Sequence, residues 1–174
     1  MSQLKAGDCV CASCGGINGR HRALCVSDSP VEVISVYTRK QAIADGVLVD
    51  CDQPPMRDLC CQLLKWPLAM TATAFDRYVW PAAGEGKLPS GQSLEGRLWD
   101  IVWMFHAAIK GTVPCWRLSP EVLLFDFACV VADSARWPNE RAGVEGSRRV
   151  TLKAVCGPGD EGEPVITFML PEED

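Results

Sequence analysis

Between Leu94 and Lys110, apolar side chains recur at Leu98, Val102, Phe105 and Ile109, the i, i+4, i+7, i+11 spacing that lines one face of an α-helix. Gly111 and Pro114 end the pattern. A second ladder, Trp99, Trp103 and His106, runs beside the first and widens the apolar arc, which predicts a central helix packed into the core. Downstream the period changes to two. The runs EVLLFDFACVVA, RRVTLKAVC and EPVITFML predict three consecutive strands over residues 121–132, 148–156 and 164–170, paired antiparallel in that order. Alternation sets Val150, Leu152, Ala154 and Cys156 on one face and Thr151 and Lys153 on the other, with Leu152 and Trp103 expected in the core. On that reading Leu152→Ala costs about 2–5 kcal/mol, and Lys153→Ala stays within about 0.5 kcal/mol.

The first half of the chain is more broken. VEVISVY at 31–37 reads as a further strand, and Thr38 with Gln41 forms a capping box that opens a helix through Asp45, closed by Gly46. After Val47–Val49, Asp52 and Pro54 open a second helix carrying Met56, Leu59, Cys60, Leu63 and Leu64, which Pro67 ends. Thr71 or Thr73 caps a short helix through Tyr78, stopped by Pro81, and residues 81–96 form a Gly, Pro and Ser loop expected to be mobile. Helices gathered in the middle and strands gathered at the end predict an α+β fold. In it, an antiparallel sheet of three to four strands packs on the Trp-rich helix and shorter helices. Residues 31–174 make this one domain, and residues 1–30 form a Cys-rich appendage without apolar periodicity.

Composition narrows the function. With 174 residues, 48% hydrophobic and a net charge of −5, the chain is neither wholly disordered nor built around a large phosphate-binding surface. No run of eighteen apolar residues could cross a bilayer, and the opening MSQLKAGDCVCASCGG lacks the apolar stretch of a secretory signal; a cytoplasmic protein with reduced thiols is expected. Of its ten cysteines, Cys129 and Cys156 sit in apolar runs and read as core residues, and the adjacent Cys60 and Cys61 cannot share one helix face.

The N-terminal cluster is different. Cys11, Cys14, His21 and Cys25 follow a C-x2-C-x6-H-x3-C order close to a zinc knuckle, with Cys9 as an alternative ligand, so Zn is the candidate cofactor. Arg20, Arg22, Arg39 and Lys40 would let such a knob meet nucleic-acid phosphates, although residues 1–30 contain no aromatic side chain on which a base could stack. For catalysis the chain offers only His21 and His106 and no G-x-S-x-G elbow, which points away from an enzyme; a small hydrolase or transferase using His106 is the alternative. The acidic turn 157–163 and the closing Glu172, Glu173 and Asp174 read as solvated carboxylates. Trp137, flanked by Arg136 and Arg141 in a long loop, is the expected anchor for a partner.

Three stretches, ISVYTRKQAIADGVLVD at 34–50, GRLWDIVWMFHAAIK at 96–110 and VTLKAVCGPGDEGEPVITFMLPEED at 150–174, resemble an uncharacterised bacterial family associated with plasmids, phages and other mobile elements. The resemblance stops short of the first thirty residues and brings no cofactor or catalytic residue. It implies a small accessory protein that binds a host protein complex without catalysis, for instance an inhibitor of CRISPR or restriction defence. The other class of reading is a zinc-stabilised nucleic-acid-binding module on residues 9–25. Metal analysis of the reduced protein separates these: the zinc reading expects about one ion per chain, lost on Cys14→Ser, and a metal-free protein removes it.

Overall fold

The computed structural model describes residues 37–80, 88, 91–130, 140–142 (backbone only) and 147–173. The expected strand at 31–37 lies outside them except for Tyr37, which is in no strand, and so does most of the loop at 81–96.

Thr38 caps α1 (Arg39–Ala44) in the expected capping box, its hydroxyl accepting from the Gln41 N–H and the Gln41 side chain accepting from the Thr38 N–H. A second cap comes from far along the chain: the Asp160 carboxylate accepts the Arg39 and Lys40 N–H groups at 2.8 and 2.9 Å. Gly46, at φ 74°, lets the chain turn out of α1 into β1 (Leu48–Asp50), a conformation a side chain would strain. α2 (Met56–Cys60) is shorter than its apolar pattern suggests. Leu63 and Leu64 continue that pattern in a turn beyond the helix, because no side chain caps its start and five residues make barely more than one turn. β2 (Leu68–Thr71) leads directly into α3 (Ala72–Tyr78), whose first turn is capped by Thr71. α4 (Leu94–Ile109) starts on Ser93 and ends before Gly111, at φ 73°.

β3 (Cys115–Arg117), β4 (Val122–Cys129), β5 (Glu140–Ala142), β6 (Arg148–Pro158) and β7 (Pro164–Met169) follow. The sheet runs β1-β2-β7-β6-β4-β3, with β5 pairing β6 as a seventh strand. The antiparallel order β4-β6-β7 is as the alternation predicts, with Leu152 opposite Phe125 and Ala154 opposite Phe168. The expectation of three to four purely antiparallel strands is corrected: β2 joins β7 in parallel, Leu68 beside Ile166, and makes the sheet mixed. Three- and four-residue strands carry too little alternation to be read, and β2 is buried at three of its four positions, so it looks like any short apolar run.

One face of the sheet carries the core. Phe105 of α4 meets Phe125 and Phe168 at ring-centre distances of 5.4 and 4.9 Å, and those two meet each other at 5.3 Å. Leu98, Ile101, Val102 and Leu152 are fully buried around this triad. At the other end of α4, Arg97 is only 3% exposed and forms no direct ion pair among the described residues; its guanidinium donates to the carbonyls of Tyr78 and Val130 and to the Cys129 sulfur. Trp103 is not a core residue. It is 50% exposed, because the buried arc of α4 is filled by Leu98, Ile101, Val102, Phe105 and Ala108, which leaves the tryptophan ladder turned outward.

The second face is held by polar contacts and by the chain's last residues. Thr151 donates to Asp126 at 2.6 Å, and Arg149 lies 3.7 Å from the same carboxylate. Lys153 does occupy this face, but it is 9% exposed, its ammonium donating to the Glu173 carbonyl. Glu173 also accepts from the Leu170 N–H and the Thr71 hydroxyl at 2.7 and 2.8 Å, and Glu172 lies 3.9 Å from Arg77. Glu173 is therefore not a solvated carboxylate, whereas Glu172 stays exposed as expected, and Asp160 in the β6–β7 turn is exposed but engaged as the second cap of α1. Leu152→Ala is expected to lose about 2–5 kcal/mol to a core cavity, and Lys153→Ala about 1–2 kcal/mol through a lost charge-assisted hydrogen bond. Urea unfolding of both variants measures this, and a Lys153→Ala midpoint equal to wild type would show that the tail contact stabilises nothing.

Candidate functional site

The outward surface of α4 gathers what the molecule has to offer a ligand or partner. Trp99, Trp103 and His106 lie one turn apart and stack along the helix, at ring-centre distances of 6.1 and 6.5 Å. The His106 ring is fixed from the other side, its Nδ1 lying 3.0 Å from the Leu63 carbonyl, so the turn after α2 sets the end of the ladder. Trp66, 48% exposed, stands on the same turn. Stacked rings of this kind present large apolar area with little side-chain entropy left to lose on binding.

Beyond His106 the surface drops into a groove of about 440 Å³ between the C-terminal half of α4, residues 63–66 and the sheet. Its floor is core: Leu64, Phe105, Leu123, Ala154 and Ile166 are all less than a tenth exposed. The backbone there is already paired, Leu123 lying opposite Ala154 in the ladder and the Ile166 N–H donating to the Pro67 carbonyl at 2.9 Å. Lys65, Lys110 and Arg117 stand around the mouth against one acidic residue, Glu121. Cys156 opens onto the groove and is half-buried rather than fully in the core.

His106 was the candidate for acid–base work. Among the described residues its hydrogen-bond partner is a backbone carbonyl and its ring neighbour is Trp103; no nucleophile or carboxylate is hydrogen-bonded to it. Asp100, one turn from Arg97, has its carboxyl raised above the ordinary range by partial burial, an effect that the Arg97 charge opposes. Among the described residues no group of three or more His, Cys, Asp or Glu side chains could hold a metal ion, and no helix is long and apolar enough to cross a membrane. The zinc candidates Cys9, Cys11, Cys14, His21 and Cys25 lie outside the described residues, as do Trp137 and Arg136. Arg141 is seen only as backbone in β5, opposite Arg149.

A family model matches residues 28–174, a range that contains every described residue. The chain belongs to the family of unknown function DUF6573. No curated protein and no solved structure matches it. Within this DUF6573 member the ladder was visible as a sequence spacing, but its outward direction was not. The groove gave no signal, since its walls come from five separate stretches.

The turn that supports the ladder also separates two adjacent thiols. Burial, with Asp52 and Cys61 adding to it, pushes the Cys60 thiol up to about 11, and Cys61 is exposed. Iodoacetamide at about pH 8 should therefore label Cys61 and spare Cys60 in the native protein, as read by peptide mass mapping. Equal labelling of both would mean that the turn after α2 opens freely.

Proposed function

We propose that this protein is a non-catalytic binding protein that seats a host protein complex on the outward face of α4. The observation that carries the reading is the stacked ladder centred on Trp103, a half-exposed tryptophan held rigid between Trp99 and His106. Tryptophans so placed are the side chains that dominate protein interfaces. His106 supports binding over catalysis, because its partners are a carbonyl and an aromatic ring.

The resemblance to mobile-element proteins supports a setting: an accessory protein of a phage or plasmid that disables a host complex, with CRISPR or restriction machinery as the candidate target. A second contact through Arg136, Trp137 and Arg141 belongs to the same proposal. The test compares the tagged wild-type protein with Trp103→Ala in a bacterial lysate. Wild type should retain one host complex in stoichiometric amount, and Trp103→Ala should lose it by roughly tenfold or more, an interface loss of at least about 1.4 kcal/mol, with an unchanged melting temperature. Equal retention by the two proteins would remove α4 as the seat.

A further inference from the structure

The groove beside the ladder has a different chemistry from the ladder itself. It is a slot between helix and sheet, and its floor side chains, Leu64, Phe105, Leu123, Ala154 and Ile166, belong to the core. The floor's backbone groups are already bonded within the sheet, so a peptide entering the slot would bury N–H and C=O groups without partners, at a cost of some kcal/mol each. A chain of methylenes carries no such groups. The volume, about 440 Å³, falls among those of ligand pockets, which run from about 300 to 1,000 Å³.

The mouth supplies the other half of the recognition. In a chain of net charge −5, three cations, Lys65, Lys110 and Arg117, meet at one opening against Glu121 alone. Lys65 and Lys110 form no ion pair among the described residues, so their charge is available to an incoming anion. Arg117 spends one N–H on the Pro120 carbonyl at 3.4 Å. Trp66 and Ile109, each about half exposed, extend the apolar walls outward between these charges. An apolar shaft with a cationic collar complements a molecule with an alkyl body and an anionic head.

We infer that this groove binds a single-chain anionic amphiphile, an acyl or alkyl chain ending in a carboxylate or phosphate, taken as a free monomer rather than from a bilayer. The tail lies along Phe105, Leu123 and Ile166, and the head meets Lys65 and Lys110. Binding of this kind needs no protein partner and is independent of the reading of Trp103.

The experiment titrates the full chain with sodium dodecanoate below its micellar concentration, following heat and tryptophan fluorescence. Dodecyl maltoside provides an uncharged head, and anionic phospholipid vesicles provide a bilayer. The expected result is saturable binding of dodecanoate with a negative heat-capacity change. It should weaken by roughly tenfold in the double variant Lys65→Glu, Lys110→Glu and by at least as much in Ile109→Glu, whose exposed position leaves the fold intact by circular dichroism. Trp103→Ala should bind dodecanoate as wild type does, whatever happens to the host complex. The inference is overturned if dodecanoate fails to saturate, if dodecyl maltoside binds equally well, or if only vesicles bind. It is also overturned if Ile109→Glu releases a protein partner or dissolves a dimer while wild type takes up no dodecanoate, since the groove would then seat a protein side chain.

Discussion

Three phenylalanines hold this molecule in register. Phe105 comes from α4, Phe125 from β4 and Phe168 from β7, so the contact ties the one long helix to strands on either side of β6. Edge-on and tilted rings at about 5 Å combine apolar burial with favourable quadrupole geometry. Because this contact sets the rotation of α4, it also decides what the helix shows to water: Trp103, two positions back and so about 160° around from Phe105, becomes surface whatever its hydrophobicity. Trp103 is outside because Phe105 is inside.

Arg97 works at the opposite end of α4. A guanidinium this buried is normally neutralised by a carboxylate, but here two carbonyls and a sulfur receive it, drawn from the end of α3 and the end of β4. Backbone dipoles take the direct contacts, with Asp100 one turn away as a nearby opposite charge, which ties the guanidinium chiefly to the position of the chain. The helix is thus fixed hydrophobically at Phe105 and electrostatically at Arg97, and rotation about either anchor is blocked by the other.

Much of the architecture was legible as periodicity. The α4 stripe as far as Phe105, the Thr38 capping box and the β4-β6-β7 order were legible, although Ile109 at the end of the stripe is half exposed, and Leu152 and Ala154 fall on the buried face as alternation requires. What escaped was short or non-local. β2 has four residues, and nothing local in Leu68 marks Ile166 as its parallel neighbour. Lys153 and Glu173 look like solvated charges until the chain folds back and sets one against the other. For the candidate site the limit was geometric: Trp99, Trp103 and His106 announce a shared helix face, but only tertiary packing assigns that face to solvent, and a groove built from residues so far apart leaves no mark on any one stretch.

The parallel pairing of β2 with β7 bears on how the protein is made. β2 leaves the ribosome well before β7, yet its hydrogen-bonding edge is completed by Ile166, Thr167 and Phe168, and its last residue, Thr71, is gripped by Glu173. Until those residues are synthesised, Leu68, Ala69 and Met70 have no neighbour on that side, and Phe105 lacks one of its two aromatic partners. The nascent chain must therefore carry an apolar helix and an unfinished strand edge until β7 is made, a state prone to association with whatever surfaces lie near. Folding around β2 waits for residues about a hundred positions downstream.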